Sequence, residues 1–254
     1  MKLSACIEWL FADEAETFAD RIRLAHRHGV EAVEFWRWTN KDVGSLEWAL
    51  NETGIELASF VAEPMIPLTD LANRAAFLEG LKRSIEVARR LGARTLIVQA
   101  GDDLAGKSRE EQRAALEETL SRAGDVLADS GVRLGVEPLN TLIDHVGYFL
   151  ESTREGLDIA KETGRPEIGI IYDIYHSAVM GEDTATVIGG DIDKVFHVHI
   201  ADHPGRNEPG SGTIDLKARV DWLSAQGYRG ALGLEYRPTL PSAQTIEQTQ
   251  RLLA

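Results

Sequence analysis

Along this chain the spacing of apolar residues changes in a regular way, and the change repeats eight times. Short runs rich in β-branched and aliphatic residues fall at 3–9 (LSACIEW), 31–36 (EAVEFW), 55–61 (IELASFV), 95–100 (TLIVQA), 132–137 (VRLGVE), 168–173 (IGIIYD), 195–200 (VFHVHI) and 231–236 (ALGLEY). Between them the apolar positions recur at helical spacing, as in Phe18, Ile22 and Ala25 ahead of Gly29, and Leu81, Ile85 and Ala88 ahead of Gly92. A glycine directly after such a pattern predicts a left-handed helix stop. Asp70, Ser108, Ser152 and Asp215 stand where an N-cap is expected, since a short polar side chain there accepts from an unpaired first-turn N–H.

Strand–helix alternation at this spacing predicts a parallel sheet. Eight units within 254 residues predict a closed (β/α)8 TIM barrel, one domain over 1–254, rather than an open doubly wound sheet. A dinucleotide fold would place a Gly-x-Gly-x-x-Gly turn straight after the first strand, and Trp9-Leu10-Phe11-Ala12 stands there instead. No linker, low-complexity tract or second core interrupts the pattern.

With 43% hydrophobic residues the chain can fill one large core. Its net charge of −14, with no Lys/Arg run longer than two, disfavours nucleic acid as a partner, because phosphate backbones need clustered positive charge. The single cysteine, Cys6, excludes an intrachain disulfide and fits a cytoplasmic setting. Glu8 breaks the N-terminal apolar stretch and no small-residue cleavage site follows, so neither a signal peptide nor a membrane span is expected.

Candidate chemistry collects in the second half, one residue per strand: Glu137, Asp173, His199 and Glu235. In a barrel these strand ends meet at the C-terminal mouth. Several ionised carboxylates in one cavity repel strongly, so a cation is expected among them. Three carboxylates and one imidazole, with no thiolate, suit Mn²⁺, with Mg²⁺ or Co²⁺ as alternatives, better than structural zinc. A lone acid at a strand end is more often a helix cap or salt-bridge partner; four ligand types on four consecutive strands are not explained that way. His197, two residues before His199, faces the same side one layer deeper and reads as a hydrogen-bonded core histidine. Glu8, Glu34 and Gln99 also end strands and are weaker candidates to line the mouth. Trp9, Trp36 and Trp38 are candidate walls, and Gly210-Ser211-Gly212 a weak candidate anion loop.

Four segments carry a resemblance: Glu137-Pro138-Leu139-Asn140, Ile171-Tyr172-Asp173-Ile174-Tyr175-His176, the run His199-Ile200-Ala201-Asp202-His203-Pro204-Gly205-Arg206-Asn207 through Ile214, and Glu235-Tyr236-Arg237-Pro238. In these the chain resembles the xylose-isomerase-like barrel superfamily of sugar isomerases and epimerases, and within it the hydroxypyruvate isomerases. The resemblance implies a metal-dependent isomerase or epimerase of a small hydroxy-carbonyl, carbohydrate-like substrate, working through a metal-stabilised enediolate. It implies Glu137 and Glu235 as base and acid as well as metal ligands beside Asp173 and His199. His176 and Arg206 would contact substrate oxygens. Apart from the resemblance, His145, eight residues after Glu137, reads equally as a proton carrier at the mouth or a plain loop histidine, and Trp36 as a pocket wall or ordinary core filling. The resemblance departs at His199, where hydroxypyruvate isomerases tend to carry Gln and ketose 3-epimerases His, and at Phe35-Trp36-Arg37-Trp38. Homo-oligomers are common in the superfamily. An alternative member type, the catalytic subunit of a C-glycoside deglycosidase, would enolise a 3-oxo glycoside, eliminate the aglycone and require a hetero-oligomer. Repair endonucleases of the superfamily need more histidine ligands than this chain's seven supply, and a non-catalytic, retired barrel would have lost a ligand.

Overall fold

Each apolar run forms a strand in the computed structural model, which describes all 254 residues: β1 (Leu3–Cys6), β2 (Ala32–Phe35), β3 (Glu56–Val61), β4 (Thr95–Val98), β5 (Arg133–Val136), β6 (Ile168–Asp173), β7 (Val195–Ile200) and β8 (Leu232–Leu234). All pair in parallel and in sequence order, and β8 pairs with β1, which closes the barrel. Outside the sheet lie α1 (Phe18–Arg27), α2 (Val43–Thr53), α3 (Arg74–Leu91), α4 (Arg109–Leu127), α5 (Thr153–Glu162), α6 (Ile174–Val179), α7 (Thr184–Ile188), α8 (Leu216–Ala225) and α9 (Ser242–Leu253). The (β/α)8 expectation holds. No helix is long and apolar enough to cross a membrane.

The helix boundaries follow the expected chemistry. Ser108 forms a full capping box with Glu111 at α4, and Ser152 and Asp215 cap α5 and α8 through Glu155 N and Ala218 N. Asp70 caps a single 3-10 turn, Leu71–Asn73, and α3 starts only after it. Gly29 and Gly92 adopt φ of 73° and 78°, a conformation that costs a residue with a Cβ about 1–2 kcal/mol. One cluster of 60 buried residues fills the space around the sheet. Each fully buried Leu, Ile or Phe there contributes about 1.5–3 kcal/mol relative to exposure.

Several strands end earlier than their apolar runs. β1 stops at Cys6 because Trp9 N and Leu10 N both donate back to the Cys6 carbonyl, a tight turn that carries Trp9 to the mouth beside Arg206. β8 stops at Leu234 because Glu235 N donates to Gly233 O, a local bend. Two register shifts interrupt the ladder, at Val33/Glu34 between β2 and β3 and at Ile170/Ile171 between β6 and β7. Such irregularities re-aim side chains. The second precedes the pairing of Asp173 with His199.

Candidate metal centre

Glu137 follows β5 directly, Asp173 ends β6, His199 is the penultimate residue of β7 and Glu235 follows β8. One ligand atom from each lies within 4.8 Å of the others. The four are 5%, 3%, 2% and 7% exposed, so the centre is deeply buried.

Each group is aimed by a specific contact. Asp173 is also the N-cap of α6: its Oδ1 accepts from Tyr175 N (2.7 Å) and His176 N (3.2 Å), which fixes the side chain and leaves Oδ2 buried without a partner. The cap reading and the ligand reading of a strand-end acid are thus both satisfied, by different oxygens. His199 Nδ1 faces Glu137 Oε1 at 2.7 Å and Glu235 Oε2 at 3.6 Å. Glu235 accepts from Trp36 Nε1 at 2.7 Å and from Arg206 Nη2 at 2.6 Å. Arg206 Nη2 also lies 3.5 Å from Asp173 Oδ2.

The electrostatics follow from crowding acids at low dielectric. Burial pushes the Glu137 carboxyl up, with Glu235 and Asp173 adding to it, against the pull of His199. Burial opposes charge on His199, yet Glu235, Glu137 and Glu34 together outweigh it and hold the imidazole well above its usual range. Arg206 is likewise held up by Glu235 and Asp173 despite its burial. A cluster that draws protons and a guanidinium to balance its own charge, and leaves Asp173 Oδ2 without a hydrogen-bond partner, is compatible with a bound cation. Its hard oxygen and imidazole donors fit a divalent ion.

The expected substrate-binding residues surround this cluster. His176 Nδ1 accepts from Asn140 N at 3.2 Å, so the hydrogen belongs on Nε2, which has no partner and lies 3.5 Å from Asp173 Oδ2. Burial, then Arg206, holds His176 well below its ordinary range, which keeps it a neutral donor. His145 is half-buried with its ring 5.3 Å from that of His176, and burial followed by Arg206 lowers it too. Arg206 sits at φ 53°, its guanidinium 5.1 Å from the Trp9 ring and 5.3 Å from the Tyr175 ring, and its Nε is buried and unpartnered. Trp9 and Trp36 pack edge to face at 5.1 Å.

Three weaker expectations fail. Trp38 turns away from the mouth and donates to Ser84 Oγ on α3 at 3.0 Å. Glu8 is spent on Lys41 (2.5 Å) and Trp36 N (3.0 Å) and holds the loop after β2. The Gly210-Ser211-Gly212 loop offers no anion cradle, because Asp202 already takes the N–H groups of Gly210 (2.9 Å) and Ile214 (3.0 Å), and Ser211 N donates to Glu208 O. Asp202 also accepts from His203 N at 2.8 Å, so one buried carboxylate shapes the loop that carries Arg206. That role, and those of Asn140 and Tyr175 in orienting neighbours, were not read from the sequence; Asn140 was visible only as part of a quoted motif. His197 is the hydrogen-bonded core histidine expected, with Nε2 at 2.9 Å from Glu34.

Fold and centre together define a barrel of one family: residues 22–254 match the xylose isomerase-like TIM barrel family, and the chain belongs to it. Among its relatives, a protein of Homo sapiens named putative hydroxypyruvate isomerase is 32% identical over 94% of this chain and 90% of its own. The 2-oxo-tetronate isomerase of Cupriavidus necator is 32% identical, covering 93% of each. A solved structure from Brucella melitensis, described as an AP endonuclease of family 2, is 27% identical, covers 99% of both chains and superposes with a TM-score of 0.91.

Proposed function

We propose that this protein is a divalent-metal-dependent isomerase or epimerase of a small hydroxy-carbonyl substrate, of the hydroxypyruvate isomerase kind. The observation that carries the reading is the convergence of Glu137, Asp173, His199 and Glu235 within 4.8 Å at the barrel mouth. The names of the human and Cupriavidus relatives support a short oxo acid as substrate. The burial of all four groups favours a small molecule over the bulky aglycone of a 3-oxo glycoside. The family breadth that admits an AP endonuclease description does not carry over, since a net charge of −14 suits a phosphate backbone poorly.

Glu137, Asp173, His199 and Glu235 would hold the ion, with Mn²⁺ preferred on donor chemistry and Mg²⁺ or Co²⁺ as alternatives. When bound, the cation supplies positive charge that acidifies the carbon next to a carbonyl. Glu137 would take the proton from that carbon as a carboxylate that the bound cation keeps ionised, with the substrate's own acidification offsetting its lowered basicity. Glu235, oriented by the Trp36 indole and the Arg206 guanidinium, stands on the other side to return one. In an isomerisation the proton leaves the hydroxyl-bearing carbon beside the carbonyl and comes back at the former carbonyl carbon, while the hydroxyl proton passes to the former carbonyl oxygen; in an epimerisation it comes back on the opposite face of the same carbon. His176 Nε2–H and Arg206 Nε–H, both buried and unpartnered, are placed to hydrogen-bond substrate oxygens as they gain charge. A metal-replete assay in deuterated water across hydroxypyruvate, tetronates, ketoses and 3-oxo glycosides tests this. Deuterium is expected next to the carbonyl of a short oxo-acid product; no exchange with any of them would remove the mechanism.

A further inference from the structure

Strand β2, Ala32-Val33-Glu34-Phe35, carries one acid among apolar residues, and that acid is 2% exposed inside the barrel. No lysine or arginine pairs with Glu34; its two oxygens face two histidines of β7. Oε2 meets His197 Nε2 at 2.9 Å, and Oε1 lies 3.2 Å from His199 Nε2, close but off the hydrogen-bond direction. Across from them β8 presents Gly233. A Cβ there would stand 2.3 Å from Glu34 Oε1 and 2.6 Å from His199 Cδ2. The β2–β3 register shift falls immediately before Glu34. A buried carboxylate costs several kcal/mol before its partners offset it, and an apolar residue in its place is often as stable or more so. A bare backbone position and a re-aimed strand kept around such a group point to a task beyond packing.

Glu34, His197 and His199 are themselves close enough to hold an ion. That would require His199 to give both ring nitrogens to metals and lose both hydrogens, while its Nδ1 already faces Glu137 and Glu235. One neutral imidazole satisfies the geometry differently. With Nδ1 presented as a lone pair, the hydrogen must sit on Nε2, and a carboxylate, which only accepts, lies within reach of it.

We propose that Glu34 is a positioning residue of the metal centre: it takes the Nε2–H of His199 and so fixes the ring with Nδ1 toward Glu137, Asp173 and Glu235, while His197 clamps its other oxygen. This rests on the metal reading given above. Outer-shell carboxylates of this type set ligand tautomer and orientation, and losing one weakens metal affinity about 10–100-fold. Calorimetric titration of the metal-stripped protein with Mn²⁺ separates the two ideas. If the unaltered protein binds no Mn²⁺, the metal reading fails and this proposal falls with it. If it binds, Glu34→Gln is expected to weaken binding about 10–100-fold, Glu34→Asp to recover part of the loss, and Gly233→Ala to weaken it in the same direction as Glu34→Gln. Glu34→Gln binding within twofold of the unaltered protein would overturn the proposal and leave the metal reading standing. Should Glu34→Gln fail to fold, ¹⁵N shifts of His199 in the unaltered, Mg²⁺-loaded protein decide. Hydrogen on Nε2 is expected, and hydrogen on Nδ1 would overturn the assignment.

Discussion

The two halves of the barrel divide the work unequally. Strands β5 to β8 supply every group of the four-residue cluster and some of its supports, whereas β1 to β4 and their loops supply supports alone: Trp36 on Glu235, Glu34 against His199, and Glu8 and Lys41 behind the Trp36 loop. The halves are alike in burial and packing, and both contribute to the same core. What differs is whether a polar side chain ends at the shared centre or one contact short of it.

The sharpest way to break the comparison is to remove donors from the second half. Glu137→Gln and Glu235→Gln are each expected to cut turnover by about 100- to 10,000-fold with the fold intact by circular dichroism, because each removes a proton-transfer group. Activity surviving both would end the acid–base assignment. A second, graded effect is pH. His199 and Glu137 both hold protons to higher pH than usual in the ion-free site. A cation must expel those protons, so affinity should rise with pH through their elevated range, and titrations in buffers of different ionisation enthalpy should report proton release. Affinity independent of pH would contradict the crowding described above. The smallest effects come from one loop of the first half, where two tryptophans diverge. Trp36→Phe frees Glu235 Oε1 and is expected to cost about tenfold in turnover, near the value of one hydrogen bond to a charged group. Trp38→Phe loses only the bond to Ser84, with about 1 kcal/mol of stability and unchanged turnover expected. Equal effects on turnover would erase the distinction between the two halves.

Much of this was legible in the chain before the structure. Apolar period marked all eight strands, and strand-end acids marked the centre, because in a parallel barrel the C-terminal strand ends must converge. Strand lengths were overestimated where the run continued into a turn, as at Ile7 to Trp9, since periodicity does not register the bend that Cys6 O imposes. The partnerships of Glu34 with β7, 163 residues away, and of Trp36 with Glu235, 199 residues away, left no spacing to read. Asp202 was equally hidden: in the sequence it is one more loop acid, and only the turn of the chain back toward Ile214 shows that it gathers three N–H groups.

The pairing of β8 with β1 has a temporal meaning during synthesis. A ribosome delivers Ser4 and Glu34 well before Gly233 and Glu235, and until β8 lies against Leu3–Ala5 the sheet is open along one side. Glu137, Asp173 and His199 come from neighbouring strands, but Glu235 joins them only once β8 lies between β7 and β1, so closing the cylinder and completing the cluster are one event.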